Sequence, residues 1–179
     1  MAQGSYAFGG AAPGFMLGEI LLYRLQVTVS TWTCTYLSNS GSYTSYSTID
    51  SFIADLKSGS LPPPDGPLPT FGPGESAPDL IVRMPCYVVI ILSSSDQPSI
   101  CFQSTALTTG TDCSSQYFAL TLISVDSPVK QAVAYFAVPV VQPASKGVDD
   151  PYTMFVKYIA NGSVVTHSID PTICNHGPG

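Results

Sequence analysis

Charge is what this chain has least of. Six Lys and Arg stand against twelve Asp and Glu in 179 residues, so charged side chains are 10% of the chain and the net charge is −6. The cations Arg24, Lys57, Arg83, Lys130, Lys146 and Lys157 are scattered singly, with no basic stripe to neutralise successive phosphates, which argues against nucleic-acid binding. Histidine is scarcer still, with His167 and His176 the two imidazoles. No Gly-x-Ser-x-Gly elbow is present, so a nucleophile, base and orienting group would have to be gathered from distant strands. Long apolar runs are missing as well: Glu19 and Arg24 interrupt residues 15–25, leaving no transmembrane segment. No Lys or Arg precedes Arg24, so the positive region of an export signal is lacking and cytoplasmic residence is the expectation. A surface this poor in charge has little repulsion to keep copies apart, and a homo-oligomer is expected.

Five cysteines, Cys34, Cys86, Cys101, Cys113 and Cys174, are an odd number at irregular spacing. A chain 45% apolar can bury roughly 70% of its unfolded surface in one core without staples, so the thiols read as mostly reduced. If one pair were bridged, Cys101 with Cys113 is the first candidate. No cofactor is called for by any motif.

What the chain has in abundance is β signal. Residues 152–160 and 163–169 are rich in β-branched and aromatic side chains and flank Asn161-Gly162, which supplies the two positive-φ positions of a type I′ turn. Asp170-Pro171-Thr172 then reads as a stop, because proline cannot donate to a sheet ladder and restricts the residue before it. Asn161-Gly162-Ser163 also matches a glycosylation acceptor, but the turn accounts for the Asn-Gly pair.

Residues 1–18 are rich in Gly, Ala and Pro with Tyr6, Phe8 and Phe15 interspersed, a composition that reads as a flexible arm, free or ordered by a partner subunit. Residues 19–179 read as one domain. Alternation from Ile20 through Leu25, Val27 and Val29 to Tyr36 predicts one long first strand. Residues 38–47 are a Ser, Tyr and Gly tract, hence a loop. Ser47 or Thr48 caps a short helix over residues 48–56, with Asp50 in its first turn and Ile49, Phe52, Ile53 and Leu56 on one face. Ser58-Gly59-Ser60 ends it, and a Pro-rich loop runs to Gly74. Further strands are expected near residues 80–84, 87–92, 100–104, 117–125 and 132–141, separated by turn residues. No internal repeat is evident. The fold class is therefore all-β: a single antiparallel β-sandwich or jelly roll with one short helix.

The order of these elements resembles the AidA and PixA family of bacterial inclusion-body proteins. Phe155-Val156-Lys157-Tyr158, a turn and Ile169-Asp170-Pro171-Thr172-Ile173 look like that family's closing strand and terminal Asp-Pro-Thr-Ile. Thr121, Ile123, Ser127, Ala132, Val133 and Tyr135 are spaced like its central strand pair. Residues 87–95 resemble the strand after its Pro-rich loop, and Ile49-Asp50 the start of its short helix. The resemblance spans roughly residues 49–173. His167-Ser168-Ile169 stands where the family places aromatics, and the first 45 or so residues are longer than the family needs. The resemblance implies an all-β, non-enzymatic, cytoplasmic protein that accumulates or assembles. It carries no functional residue over.

Among candidate chemistries, His167, Asp170, Cys174 and His176 suggest a metal site, but the spacing lacks the paired short loops of structural zinc. Asp170 is equally an Asx turn and His167 a strand-face residue. Asp149-Asp150 are adjacent, point to opposite faces of a strand, and precede Pro151, so they do not form a catalytic carboxylate pair. A hydrolase built on His167 is the least favoured reading. Glycan binding is the main rival to self-association: Tyr43, Tyr46, Asp149, Asp150 and Tyr152 have the rings and polar groups a lectin uses. Strand preference alone also accounts for ten tyrosines. Trp32, in the first strand, is expected in the core.

Overall fold

The computed structural model describes residues 6–10, 19–28, 31–38, 43, 45–63, 70–71, 80–96, 99–109, 116–125, 131–139, 148–169 and 172–175. In chain order the elements are β1 (Tyr6–Ala7), β2 (Glu19–Val27), β3 (Trp32–Tyr36), α1 (Ile49–Ser58), β4 (Thr70–Phe71), β5 (Leu80–Val82) and β6 (Cys86–Ser93). They continue with β7 (Cys101–Thr109), β8 (Phe118–Val125), β9 (Gln131–Val138), β10 (Val148–Ala160), β11 (Ser163–Ile169) and β12 (Thr172–Asn175). Among the described residues they form two six-stranded sheets. Sheet A runs β1-β7-β10-β12-β5, with β11 also on β10, and sheet B runs β4-β3-β2-β6-β9-β8. The fold is an all-β sandwich with one short helix, and its sheets are mostly antiparallel.

Two pairings are parallel, β2 with β6 and β5 with β12. Parallel neighbours cannot be joined by a tight turn and need a long crossover. Between β2 and β6 the chain makes β3, crosses the outer face of sheet B as α1, and passes through β4 and β5 before returning. That crossover gives sheet B a covered outer face. Leu21, Tyr23, Leu25, Cys86, Val88, Ile90, Leu92, Ala134, Phe136 and Val138 point inward against Phe102, Leu107, Tyr152, Met154, Val156 and Ile169 of sheet A. The alternate residues Ile20, Leu22, Val89, Ile91 and Val133 point outward and pack under Phe52, Ile53 and Leu56 of α1. Residues 86–92 of β6 have Tyr87 as their one half-buried member, the rest being buried, as a strand covered on both sides requires.

The helix forms as its residues dictate. Thr48 is the N-cap, accepting from the Ser51 amide at 3.2 Å, Asp50 lies in the first turn, and Gly59 ends the helix in the left-handed region at φ 73°. The closing hairpin also follows its sequence, with Asn161 at φ 51° and Gly162 at φ 76° between β10 and β11.

Three elements depart from expectation. The single first strand is a hairpin: β2 and β3 pair antiparallel, and the Thr28 amide donates to the Thr31 carbonyl at 2.8 Å. The Thr28 hydroxyl accepts from the Thr31 amide at 3.2 Å, so a threonine side chain stabilises a turn that contains no Gly, Pro or Asn. After residues 170–171, β12 resumes pairing on β10, Ile173 opposite Asp150 and Cys174 opposite Asp149, where the sequence suggested a stop and a frayed end from Asn175. Finally, part of the arm is seated on its own chain. Tyr6 and Ala7 pair with Thr109 and Thr108 of β7. Gly9 donates to the Tyr117 carbonyl at 2.7 Å and accepts from the Ala119 amide at 2.9 Å, beside the start of β8. Ala119 itself adopts φ 54°, a conformation that costs a residue with a Cβ about 1 kcal/mol, at the point where Gly9 docks.

Candidate functional site

The tyrosines singled out by sequence fall in two places on opposite sides of sheet B. Tyr43 and Tyr46 stack with Phe52 of α1, each with its ring centroid 5.2 Å from the phenylalanine's and nearly perpendicular to it. Tyr43 is buried and its hydroxyl reaches toward the Pro62 carbonyl at 3.5 Å. Tyr46 is half-buried and donates to Asp55 Oδ2 at 2.8 Å. Burial first, then the hydrogen bond and the Asp55 charge, push its phenol up to about 12. Tyr152 is buried in the core between the sheets. Asp149 and Asp150 lie on β10 opposite β12, and their side chains are outside the described residues.

His167 is on β11, facing Val156 across the strand pair, with its ring stacked on Tyr158 and Nε2 3.2 Å from the Tyr158 hydroxyl. The other members of the sequence-suggested metal cluster, Asp170, His176 and the Cys174 side chain, are outside the described residues. Among the described residues no group of three His, Cys, Asp or Glu stands close enough to hold a metal ion. Cys34, Cys86 and Cys101 are free thiols; Cys113 is outside the described residues. Burial raises the Cys34 thiol to about 12, and burial followed by the Glu19 charge raises Cys86 further. Neither thiol is a nucleophile, since the reactive form is the thiolate.

Two features were not legible in the sequence. The first is the outer face of the β10–β11 hairpin. Lys157, Ile159, Val164, Thr166 and Ser168 are all exposed there, and Ile159 pairs directly with Val164. These two apolar side chains are 59% and 67% exposed, the highest values among the described large hydrophobics. Among the described residues β11 pairs on one edge only, with β10, so its other edge presents unpaired backbone groups. Alternation does mark Ile159 and Val164 as facing the same way, but only the sheet order shows that nothing described covers them.

The second is a cavity of about 330 Å³ between α1 and sheet B. Leu22 and Ile91 form its floor, Leu37, Leu56 and Leu61 its sides, and Arg24 and Gln131 lie at its polar end. It exists because α1 covers only part of the outer face and the chain leaving the helix at Gly59 bends away through Pro62 and Pro63.

No family model matches the chain, and no curated protein matches it. Among the described residues no helix is long and apolar enough to cross a membrane.

Proposed function

We propose that the protein is a non-enzymatic structural or binding module that self-associates through the outer face and free edge of its closing hairpin. The observation that carries this reading is the Ile159–Val164 pair, exposed side by side beside the free edge of β11. Low charge supports it: Lys157 is the one charged side chain among residues 154–169. Natural sheets guard free edges with charges, prolines or bulges, and β11 reads Ser-Val-Val-Thr-His-Ser-Ile with none of them. The resemblance to cytoplasmic inclusion-body proteins points the same way.

Magnitudes set the mode of association. A two-fold contact between copies removes four such side chains from water, worth about 1 to 2 kcal/mol each given their partial burial. Association costs about 4 to 15 kcal/mol in lost freedom, so the apolar pair alone gives weak contact. Backbone pairing along β11 supplies the remainder, as in strand addition at a sheet edge. The glycan alternative draws less support, because the rings of Tyr43 and Tyr152 are packed inside and not offered to a sugar face. A hydrolase on His167 draws less again, its hydrogen-bond partner being the Tyr158 phenol.

Sedimentation velocity over a concentration series tests the proposal. The full chain should associate with rising concentration, and Ile159→Lys with Val164→Lys should shift it to monomer with its β circular dichroism intact. A full chain that stays monomeric, or a double variant that associates like the parent, would refute the reading.

A further inference from the structure

We infer that the cavity between α1 and sheet B binds a small apolar carboxylic acid, with Arg24 holding the carboxylate and the chain lying over Leu22 and Ile91. This goes beyond self-association and uses a different part of the molecule. At about 330 Å³ the space is at the lower end of the range for small-molecule sites, enough for a medium-chain acid and too small for a nucleotide or an oligosaccharide.

Its polarity is ordered along the strands. Leu22 pairs with Val89, and two residues on, Arg24 pairs with Ile91 on the same outward face. One residue beyond the Leu92–Ala132 pair come Ser93 of β6 and Gln131 of β9, also outward. The apolar end therefore lies under the helix, and the groups that can bind an anion, Arg24 and Gln131, are gathered at the other. Arg24 is the one charged side chain on the lining. Ser93 adds a second observation, because its hydroxyl is buried and has no hydrogen-bond partner. A buried polar group without a partner is costly and uncommon, and a ligand carboxylate at this end gives that hydroxyl an acceptor.

The class of ligand follows. Branched aliphatic walls have no donors or acceptors for a sugar, and a neutral hydrocarbon leaves Arg24, Gln131 and Ser93 unused. A guanidinium matches a carboxylate with two parallel hydrogen bonds.

Calorimetric titration of the full chain with decanoate tests the inference. Saturable one-to-one binding is expected, with Arg24→Gln weakening it at least about tenfold and decanol binding weaker than decanoate by a similar factor. Arg24 is exposed, so Arg24→Gln should keep the fold, with circular dichroism as the check. Leu61→Trp, at the half-buried rim, should fill the space and abolish binding. The Ile159→Lys and Val164→Lys double variant should bind decanoate as the parent does, which separates this site from the association surface. Absence of saturable binding, an unaffected Arg24→Gln or Leu61→Trp, decanol as tight as decanoate, or loss of binding in the hairpin double variant would each overturn it.

Discussion

Tyr158 and His167 sit diagonally across β10 and β11 with their rings stacked, 5.6 Å between centroids and 20° between planes, and the Tyr158 hydroxyl lies 3.2 Å from His167 Nε2. The tyrosine is buried and the histidine half-buried, so the two partners differ in what their loss leaves behind. Tyr158→Phe removes one hydroxyl and leaves an imidazole near water, at a cost of about 1 kcal/mol. His167→Ala removes the stacked ring and strands a buried hydroxyl, at a cost of about 2 to 3 kcal/mol. Urea denaturation of both variants checks the order, and equal or reversed costs would show that the pair does not stabilise the hairpin.

Phe8 should matter to the stability of the sandwich itself. Its ring lies edge-on to Phe136 at 4.8 Å and 5.4 Å from Tyr117, both of which are fully buried. Phe8→Ala uncovers those rings and opens a gap beside β8, with an expected cost of about 2 kcal/mol for a half-buried aromatic. Thermal unfolding of the variant, and of a chain beginning at Gly18, should show lowered midpoints. An unchanged midpoint in both would mean that residues 6–10 add nothing to the fold.

Stability should fall in alkali, beginning near pH 9. Burial raises the Cys34 thiol from its ordinary 9.0 to about 12. Between those values the unfolded chain has lost a proton that the folded chain keeps, so rising pH favours unfolding. Three units correspond to on the order of 4 kcal/mol, present below pH 9 and gone by about pH 12. Tyr46, raised from 10.0 to about 12, and Tyr23, raised by burial and by Tyr36, act in the same direction at higher pH. Urea midpoints measured from pH 8 to pH 11 should decline, less steeply in Cys34→Ala. A flat profile would show that these groups ionise without unfolding the chain.

The sequence by itself determined those parts of the molecule whose causes are local. Thr48, Asp50 and Gly59 specify where α1 starts and stops, because capping and left-handed termination act within a turn. Asn161-Gly162 specifies the closing hairpin for the same reason, and β-branched alternation specifies most of the strands and hence the all-β class. The β2–β3 turn was missed because Thr28 supplies through its side chain what a turn residue normally supplies through its backbone.

Only the tertiary structure decided what lies against what. Tyr43 and Tyr152 are the same residue type in polar surroundings, yet one packs under α1 and the other between the sheets, a distinction set by strand order and crossover. Ile159 and Val164 were legible as a same-face pair but not as an uncovered one. Arg24, Gln131 and Ser93 are separated by up to a hundred residues and meet because β2, β6 and β9 are neighbours in one sheet. Long-range pairing depends on the sum of many weak contacts across the core, so no short stretch of sequence contains it.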